Sequence, residues 1–185
     1  MPVPHLNIRI VQRSKGSSAV AGAAYQAGEK LFSEYDQKSK DHRRKQPEVV
    51  YTEILLPANA PPEYADRATL WNAAEEAEKQ WNAQLARRFV LALPREVPLE
   101  KCPQMLREYC EEHFVSKGMC CDFAIHDPDP PGHNPHCHIM LTMRALDENG
   151  KWMPKSRKVY DLDENGERIK LPSGRWKSHK EDTVD

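Results

Sequence analysis

Two apolar segments joined by a short link set the tightest limit on how this chain can fold. CDFAIHD (121–127) and HCHIMLTMR (136–144) both have the composition of β-strands. A parallel pair needs a crossover of about a dozen residues or more, so the short proline-rich link favours an antiparallel hairpin. The hairpin therefore favours an antiparallel sheet.

The other segments alternate between strands and helices. The predicted order, β α β α β α β β, favours an antiparallel β-sheet with flanking helices, an α+β sandwich with the helices on one face. The first predicted elements are a strand in HLNIRIVQR from His5 and a helix from Ala19 to Phe32, which Ser17 or Ser18 caps. A charged loop or mobile arm from Phe32 to Pro47 leads to a strand at 48–57. A helix from Pro61, with Leu70, Ala74, Ala77 and Trp81 on one face, is followed by a strand in QLARRFVLALP and a helix at 98–117.

Residues 146–185 differ in composition from the chain before them. They are polar and contain Asp-Glu-Asn-Gly twice, at 147–150 and 163–166, and each copy is a turn signal. We therefore expect a core domain at 1–145. The C-terminal extension at 146–185 is expected to form a β-ribbon or an excursion outside the core, and to be the start of a longer protein.

Composition argues against several classes of protein. Five cysteines without a CxxC pair disfavour a disulfide framework or a structural zinc knuckle, and they predict reduced thiols in a cytoplasm. The sequence has neither an N-terminal signal nor an apolar run of about 18 residues, so neither secretion nor a membrane segment is predicted. The formal net charge of −1 does not mark a nucleic-acid binder. Basic residues are concentrated in the run KSKDHRRK (38–45) and in Arg87, Arg88 and Arg95.

Three histidines are predicted to meet at one end of the hairpin. Side chains two residues apart on a strand share a face, so His136 and His138 point one way and Cys137 points the other way. Pairing of the two strands brings His126 beside them. A catalytic metal requires a set of protein ligands such as three imidazoles, with further coordination positions left open for water or substrate. The alternative is a set of polar residues at a strand entrance, satisfied by water; His133, in the link, is expected to support the site or to be exposed.

Tyr25 lies in a helix rich in alanine and glycine, SSAVAGAAYQAGEKL. One interpretation is a core aromatic residue, because Ala21, Tyr25, Gly28 and Phe32 fall on one helical stripe. HExxH, GxxxxGK[ST] and GxGxxG motifs are absent, so neither a zincin nor a nucleotide-binding site has support.

Three motifs occur together in this order: SAVAGAAY, LWNAAEEAEKQWNAQLARRFVLALPRE and AIHDP…NPHCHIMLTMR. Between about Leu6 and Arg144 the chain closely resembles the MobA/MobL family, relaxases of mobilisable plasmids and conjugative elements that belong to the MobQ type of HUH endonuclease. The resemblance implies an HUH relaxase, RRM-like core, with Tyr25 as the nucleophile and His126, His136 and His138 as metal ligands. The implied metal is Mn²⁺ or Mg²⁺; imidazole ligands also suit Zn²⁺.

The resemblance also implies a reaction and its partners. Tyr25 would nick one DNA strand at an origin of transfer, form a 5′-phosphotyrosyl intermediate and later rejoin the strand. The implied partners are single-stranded DNA at that origin, relaxosome accessory proteins and a type IV secretion coupling protein, in a bacterial cytoplasm.

One departure from the family concerns the group that would position or deprotonate the tyrosine. Some relatives carry a carboxylate on the strand leading into ALP, where this chain reads Ala86-Arg87-Arg88-Phe89. Glu75 and Glu78 are candidate replacements, although an exposed helix face with Glu75 paired to Lys79 is an alternative. Strand alternation predicts Arg144 on the histidine face, where it would touch phosphate. The residues expected to contact DNA are Arg43 and Arg44 of the basic run, Arg87, Arg88 and Arg95, with Tyr35 or Trp152 as stacking platforms.

Three other functions stay open on the sequence alone. An HUH replication initiator or transposase-like nuclease would use the same nicking chemistry. A DNA-binding module would keep the fold without catalysis. A metal-dependent hydrolase would use activated water and leave Tyr25 in the core.

Overall fold

The computed structural model of the chain describes residues 6–94, 96–128 and 134–184. In this part of the chain three α-helices, α1 (Ala19–Ala27), α2 (Arg67–Glu76) and α3 (Cys102–His113), accompany nine strands. The strands are β1 (Leu6–Gln12), β2 (Lys30–Ser33), β3 (Lys38–Asp41), β4 (Val49–Leu55), β5 (Gln84–Ala92), β6 (Cys121–His126), β7 (His136–Thr142), β8 (Ser156–Tyr160) and β9 (Ser178–Asp182).

Five strands form one antiparallel sheet in the order β1-β5-β7-β6-β4. The predicted hairpin is confirmed, with His126 opposite His136 and Ala124 opposite His138. The α+β class is confirmed as well. β7 is the central strand, so the histidine end of the hairpin lies in the middle of the sheet.

Helices cover both faces of this sheet, and the expectation of helices on one face was wrong. On one face Val20 of α1 and Leu70 of α2 pack with Met140 of β7. On the other face Leu106 of α3 packs with Ile139. The physical reason is that β6 and β7 carry apolar side chains on both faces, and such strands must be covered twice.

Helix α1 is shorter than predicted because a glycine ends it. Ser18 caps its first turn by accepting from the Ala21 amide, and Gly28 follows the last turn with φ +65°. The chain then forms β2, which pairs with β3, so the predicted loop or mobile arm is a β-hairpin followed by a short 3₁₀ turn. A side chain at Gly22 would meet the Met140 sulfur at 3.1 Å, so this helix lies close against β7.

Helix α2 begins and ends differently from the prediction. A 3₁₀ turn at Pro62–Ala65 precedes it, and Asp66 caps it by accepting from the Thr69 amide. Leu70 and Ala74 are buried as expected. Trp81 lies beyond the end of the helix and is 74% exposed, so its placement on one helix face with Leu70 and Ala74 was wrong.

The C-terminal segment forms the predicted ribbon, in which β8 pairs with β9. Leu146 and Val184 are buried, one on each face of the sheet. The domain boundary at residue 145 stays a prediction. Among the described residues, no helix is long and apolar enough to cross a membrane.

Candidate active site

The structure brings three imidazoles together at one end of the central hairpin. The ring centroids of His126 and His138 are 4.5 Å apart, those of His136 and His138 are 5.0 Å apart, and those of His126 and His136 are 5.3 Å apart. Each ring offers a nitrogen, and these nitrogens lie within 4.8 Å of one another. Cys137 is buried on the opposite face of the sheet, as strand alternation predicts.

Two of the rings have their proton positions set by carbonyl groups. Nε2 of His126 lies 2.6 Å from the Gln26 oxygen, and Nδ1 of His136 lies 2.8 Å from the Asn134 oxygen. A carbonyl only accepts, so each of these nitrogens carries the proton and the other nitrogen of each ring keeps its lone pair. Burial lowers the pKa of His126, which keeps its ring neutral and able to ligate a metal.

The third ring has a different neighbour. Nη2 of Arg88 lies 3.1 Å from Nδ1 of His138, and a guanidinium only donates. In a neutral ring this contact places the proton on Nε2, which is buried and has no hydrogen-bond partner. Burial first, and then the charge of Arg88, lowers the pKa of His138 to about 2.

The three histidines fit a divalent metal, with one rearrangement. They supply ring nitrogens at suitable separations, with His126 and His138 buried and His136 half-buried, and the orphaned Nε2 of His138 is the kind of atom that a metal satisfies. Ligation through that Nε2 requires its proton to move to Nδ1, which then faces the donor group of Arg88. Arg88 would therefore have to turn away from the ring.

Tyr25 lies in the last turn of α1, next to these rings. Its ring centroid is 5.8 Å from that of His138 and 6.4 Å from that of His126. Three cationic or titratable side chains surround it: the Arg88 Cζ at 5.0 Å, the Lys45 Nζ at 5.7 Å, and the His42 ring at 5.6 Å. Tyr25 is half-buried and lines an open cleft, so the interpretation as a core aromatic residue was wrong.

The cleft beside Tyr25 is positively charged. Its volume is about 330 Å³, and its lining residues are Asn7, Arg9, Tyr25, Arg88, Val90 and His138. A neighbouring groove of about 380 Å³ continues along α1 past Gly22 and Ser18 and also exposes Lys40 and His42. The two share Arg9, Tyr25 and Arg88, so one surface leads along the helix to the tyrosine.

Arg144 is not at the site, and its predicted contact with phosphate was wrong. His136 begins β7, whereas Arg144 lies two residues beyond the other end of this strand, which is Thr142. Its Nε is 2.7 Å from Glu78 Oε1, and its Nη1 donates to the Met153 carbonyl at 3.0 Å. Glu78 also pairs with Lys155 at 2.9 Å, so both oxygens of this carboxylate are engaged by cations.

Glu75 has a role that neither sequence interpretation predicted. The side chain is buried, and Oε1 accepts hydrogen bonds from the amides of Ala19 and Val20 and from the Ser18 hydroxyl. It therefore caps the N-terminus of the helix that carries Tyr25 at its other end. It is neither a base beside the tyrosine nor an exposed partner of Lys79.

Residues of the basic run at 38–45 do lie near Tyr25, but they are not the predicted Arg43 and Arg44. Arg43 pairs with Asp41 at 2.7 Å, which lowers the pKa of Asp41 to about 2, and Arg44 is exposed. Lys40, His42 and Lys45 are the members near Tyr25. The β2–β3 hairpin and the 3₁₀ turn after it, which place them, were not recognised in the sequence.

The remaining predicted DNA contacts are scattered. Arg87 lies on the opposite face of β5 from Arg88. Trp152 stacks on Tyr64 with ring centroids 5.4 Å apart, whereas Tyr35 is 61% exposed and stays a candidate for stacking. Arg95 and His133 lie outside the described residues.

The chain is similar to mobilization and conjugal transfer proteins. Residues 17–185 match the model of the MobA/MobL family. A probable mobilization protein MobA of Bifidobacterium longum (strain NCC 2705) is 39% identical over 173 residues, which are 92% of this chain and 30% of that protein. A conjugal transfer protein TraA of Agrobacterium fabrum (strain C58 / ATCC 33970) is 38% identical over 185 residues, 95% of this chain and 16% of that protein.

A solved structure has the same fold. It is described as "Molecular Basis of Vancomycin Resistance Transfer in Staphylococcus aureus", and it matches with a TM-score of 0.75 and 32% identity over 83% of this chain and 77% of that chain. This chain spans less than a third of the length of the two relatives above.

Proposed function

Because the chain belongs to the MobA/MobL family, we propose that it is a DNA relaxase region that nicks one strand at an origin of transfer by attack of Tyr25. The observation that carries the proposal is the position of Tyr25, whose ring lies 5.8 Å from His138 at the edge of three converging imidazoles. A core aromatic residue would not need an open cleft at its side.

The proposed step conserves bonds and charge. The Tyr25 oxygen forms a bond to phosphorus, and the bond from phosphorus to the 3′ oxygen breaks with its electron pair. The phenol loses one proton and the departing 3′ oxygen gains one, leaving a 5′-phosphotyrosyl bond and a free 3′ hydroxyl. The product retains a phosphodiester, so the reverse attack by a 3′ hydroxyl rejoins the strand.

We propose that His126, His136 and His138 hold a divalent metal, with Mn²⁺ or Mg²⁺ favoured by the family and Zn²⁺ as a further candidate. When bound, such an ion would reduce the repulsion between phosphodiester oxygens and an incoming phenolate. The chain's own contribution is to keep the ligands neutral: burial lowers the pKa values of His126 and His138.

Other residues position the tyrosine. The carbonyl of Gln26, the residue after Tyr25, accepts a hydrogen bond from Nε2 of His126 and so ties the end of α1 to the histidines. Glu75 caps the opposite end of the helix. Both contacts restrict the movement of Tyr25 relative to the rings, which supports attack from a fixed position.

The proposed partners follow from the family. They are single-stranded DNA at an origin of transfer, relaxosome accessory proteins and a type IV secretion coupling protein, and we propose that the reaction takes place in the bacterial cytoplasm. The names of the relatives, mobilization and conjugal transfer proteins, favour a relaxase over a replication initiator or a transposase-like nuclease.

The test is covalent capture of DNA. The protein is incubated with Mn²⁺ and a single-stranded oligonucleotide taken from DNA that flanks the gene, and the products are separated under denaturing conditions. We expect a metal-dependent adduct that Tyr25→Phe abolishes and that the control Tyr35→Phe keeps. Cleavage by Tyr25→Phe without an adduct would instead establish hydrolysis by activated water, and binding without cleavage would establish a DNA-binding module.

A further inference from the structure

The guanidinium of Arg88 is partly buried beside the histidines. It contacts His138 and lies 5.0 Å from the Tyr25 ring centroid, and its Nε is buried without a hydrogen-bond partner. No carboxylate of the described residues forms an ion pair with it. Charges that are largely withdrawn from water are normally paired, and this partly buried guanidinium has an unsatisfied Nε that an anion would pair with.

A second arginine faces the same space. Arg9 on β1 lies directly opposite Arg88 on β5, and both line the cleft beside Tyr25. Like charges directly across a strand pair destabilise a sheet. Arg9 hydrogen-bonds to Asn7 at 3.0 Å, and, within the residues that the structure covers, it too has no carboxylate partner. Two opposed cations in one open cleft are stabilised by an anion between them.

We infer that Arg88 and Arg9 form a phosphate-binding pair that holds the non-bridging oxygens of the phosphodiester attacked by Tyr25. This inference rests on the proposed function. Guanidinium groups present several donors in a plane and bind phosphate oxygens in pairs, which suits a diester approached from two strands. Arg88, in contact with the reacting group, acts as a catalytic residue, and Arg9 at the mouth of the cleft binds the incoming strand.

Arg87 provides a matched control. It follows Ala86 on the same strand, has the same charge, and lies on the opposite face of the sheet. A variant of Arg87 therefore removes the same charge from the neighbouring position of the chain and leaves the residues that line the cleft unchanged. Because both variants change the net charge equally, a difference between them in phosphate binding or reaction rate comes from the position of the side chain.

The first measurement uses inorganic phosphate as the probe and needs no DNA. Arginine Nε–H resonances of the ¹⁵N-labelled protein are followed by NMR during a phosphate titration. We expect the Arg88 and Arg9 signals to shift saturably and the Arg87 signal to stay unchanged. Arg9→Gln should weaken the shift of Arg88. An Arg88 signal that does not respond to phosphate would overturn the inference, whether or not the protein cleaves DNA.

The second measurement is the rate of adduct formation at saturating Mn²⁺. Removing one donor to the reacting oxyanion costs about 10²-fold or more in rate, so Arg88→Gln should fall by at least that factor and Arg88→Lys by less. Arg9→Gln should fall about tenfold and Arg87→Gln less than twofold. Equal rates for Arg88→Gln and wild type would overturn the inference. Circular dichroism verifies folding, and if Arg88→Gln does not fold, the exposed Arg9 carries the test.

The two proposals fail separately. A wild-type protein that shifts its Arg88 signal with phosphate and forms no adduct contradicts the relaxase reaction, and the phosphate-binding pair stands. An adduct without any response to phosphate contradicts the pair, and the relaxase reaction stands.

Discussion

His126 donates its Nε2 proton to the carbonyl of Gln26 at 2.6 Å, and Gln26 is the residue that follows Tyr25 in the chain. The Gln26 side chain in turn donates to the Asp122 carbonyl at 3.0 Å, four residues before His126 on the same strand. The residue that follows the proposed nucleophile thus makes one hydrogen bond to a proposed metal ligand and a second to the backbone of the strand that carries this ligand.

Replacing His126 should remove metal binding. We expect His126→Ala to lower Mn²⁺ affinity by at least 100-fold, because it removes one of three ligands, whereas loss of a supporting group alone costs 10–100-fold. His113→Ala, on the exposed face of α3, is the matched control and should leave affinity unchanged. Isothermal titration calorimetry measures both. Unchanged Mn²⁺ affinity in His126→Ala would remove this residue from the site.

Replacing Arg88 should change metal affinity in the opposite direction to catalysis. The guanidinium donates to His138 Nδ1, whereas metal binding at Nε2 needs a proton on Nδ1. In Arg88→Gln the side-chain amide oxygen can accept a hydrogen bond from the protonated Nδ1 of His138. This variant should therefore bind Mn²⁺ about tenfold more tightly, while it forms the adduct more slowly. Weaker Mn²⁺ binding by this variant would contradict the tautomer assigned to His138.

Removing the cap on α1 should destabilise the fold. Glu75→Ala leaves the amides of Ala19 and Val20 without an acceptor in a buried position, so the free energy of unfolding should fall by about 1–3 kcal/mol. Glu76→Ala, one residue along and exposed, is the control and should change it by less than about 0.5 kcal/mol. Urea denaturation followed by circular dichroism gives both values. A Glu75 variant as stable as the Glu76 variant would show that the cap contributes nothing.

Stability of the metal-free protein should depend on the protonation of His138. Burial lowers its folded-state pKa to about 2, below the value of about 6.5 in an unfolded chain. Below pH 6.5 the unfolded chain therefore binds a proton that the folded chain excludes, and the free energy of unfolding falls by up to about 1.4 kcal/mol per pH unit. His138→Gln should show a flatter dependence between pH 6.5 and 4.5 in chelator. Parallel pH profiles for the two proteins would contradict the burial of a neutral ring.

The central hairpin and the facing of its histidines were predictable because strand pairing and side-chain alternation are local rules. The end of α1 was harder to place, since a helix continued through Gly28 is compatible with the residues on either side, and the charged strand β3 has no apolar pattern. The side-chain partners that come from distant parts of the chain could not be predicted from the sequence. Nothing in the spacing of Glu75 or Arg144 shows that one caps a distant helix and the other binds Glu78.

The two contacts that hold α1 join residues far apart in the chain: Ser18 with Glu75, and Gln26 with His126, which lies one hundred positions later. During synthesis the ribosome therefore releases Tyr25 long before β6 exists. A nascent or truncated chain without β6 and β7 carries the tyrosine yet has neither the imidazoles nor the strand that fixes its direction. The proposed reaction of Tyr25 with DNA therefore requires that the hairpin carrying the histidines has already been translated and paired.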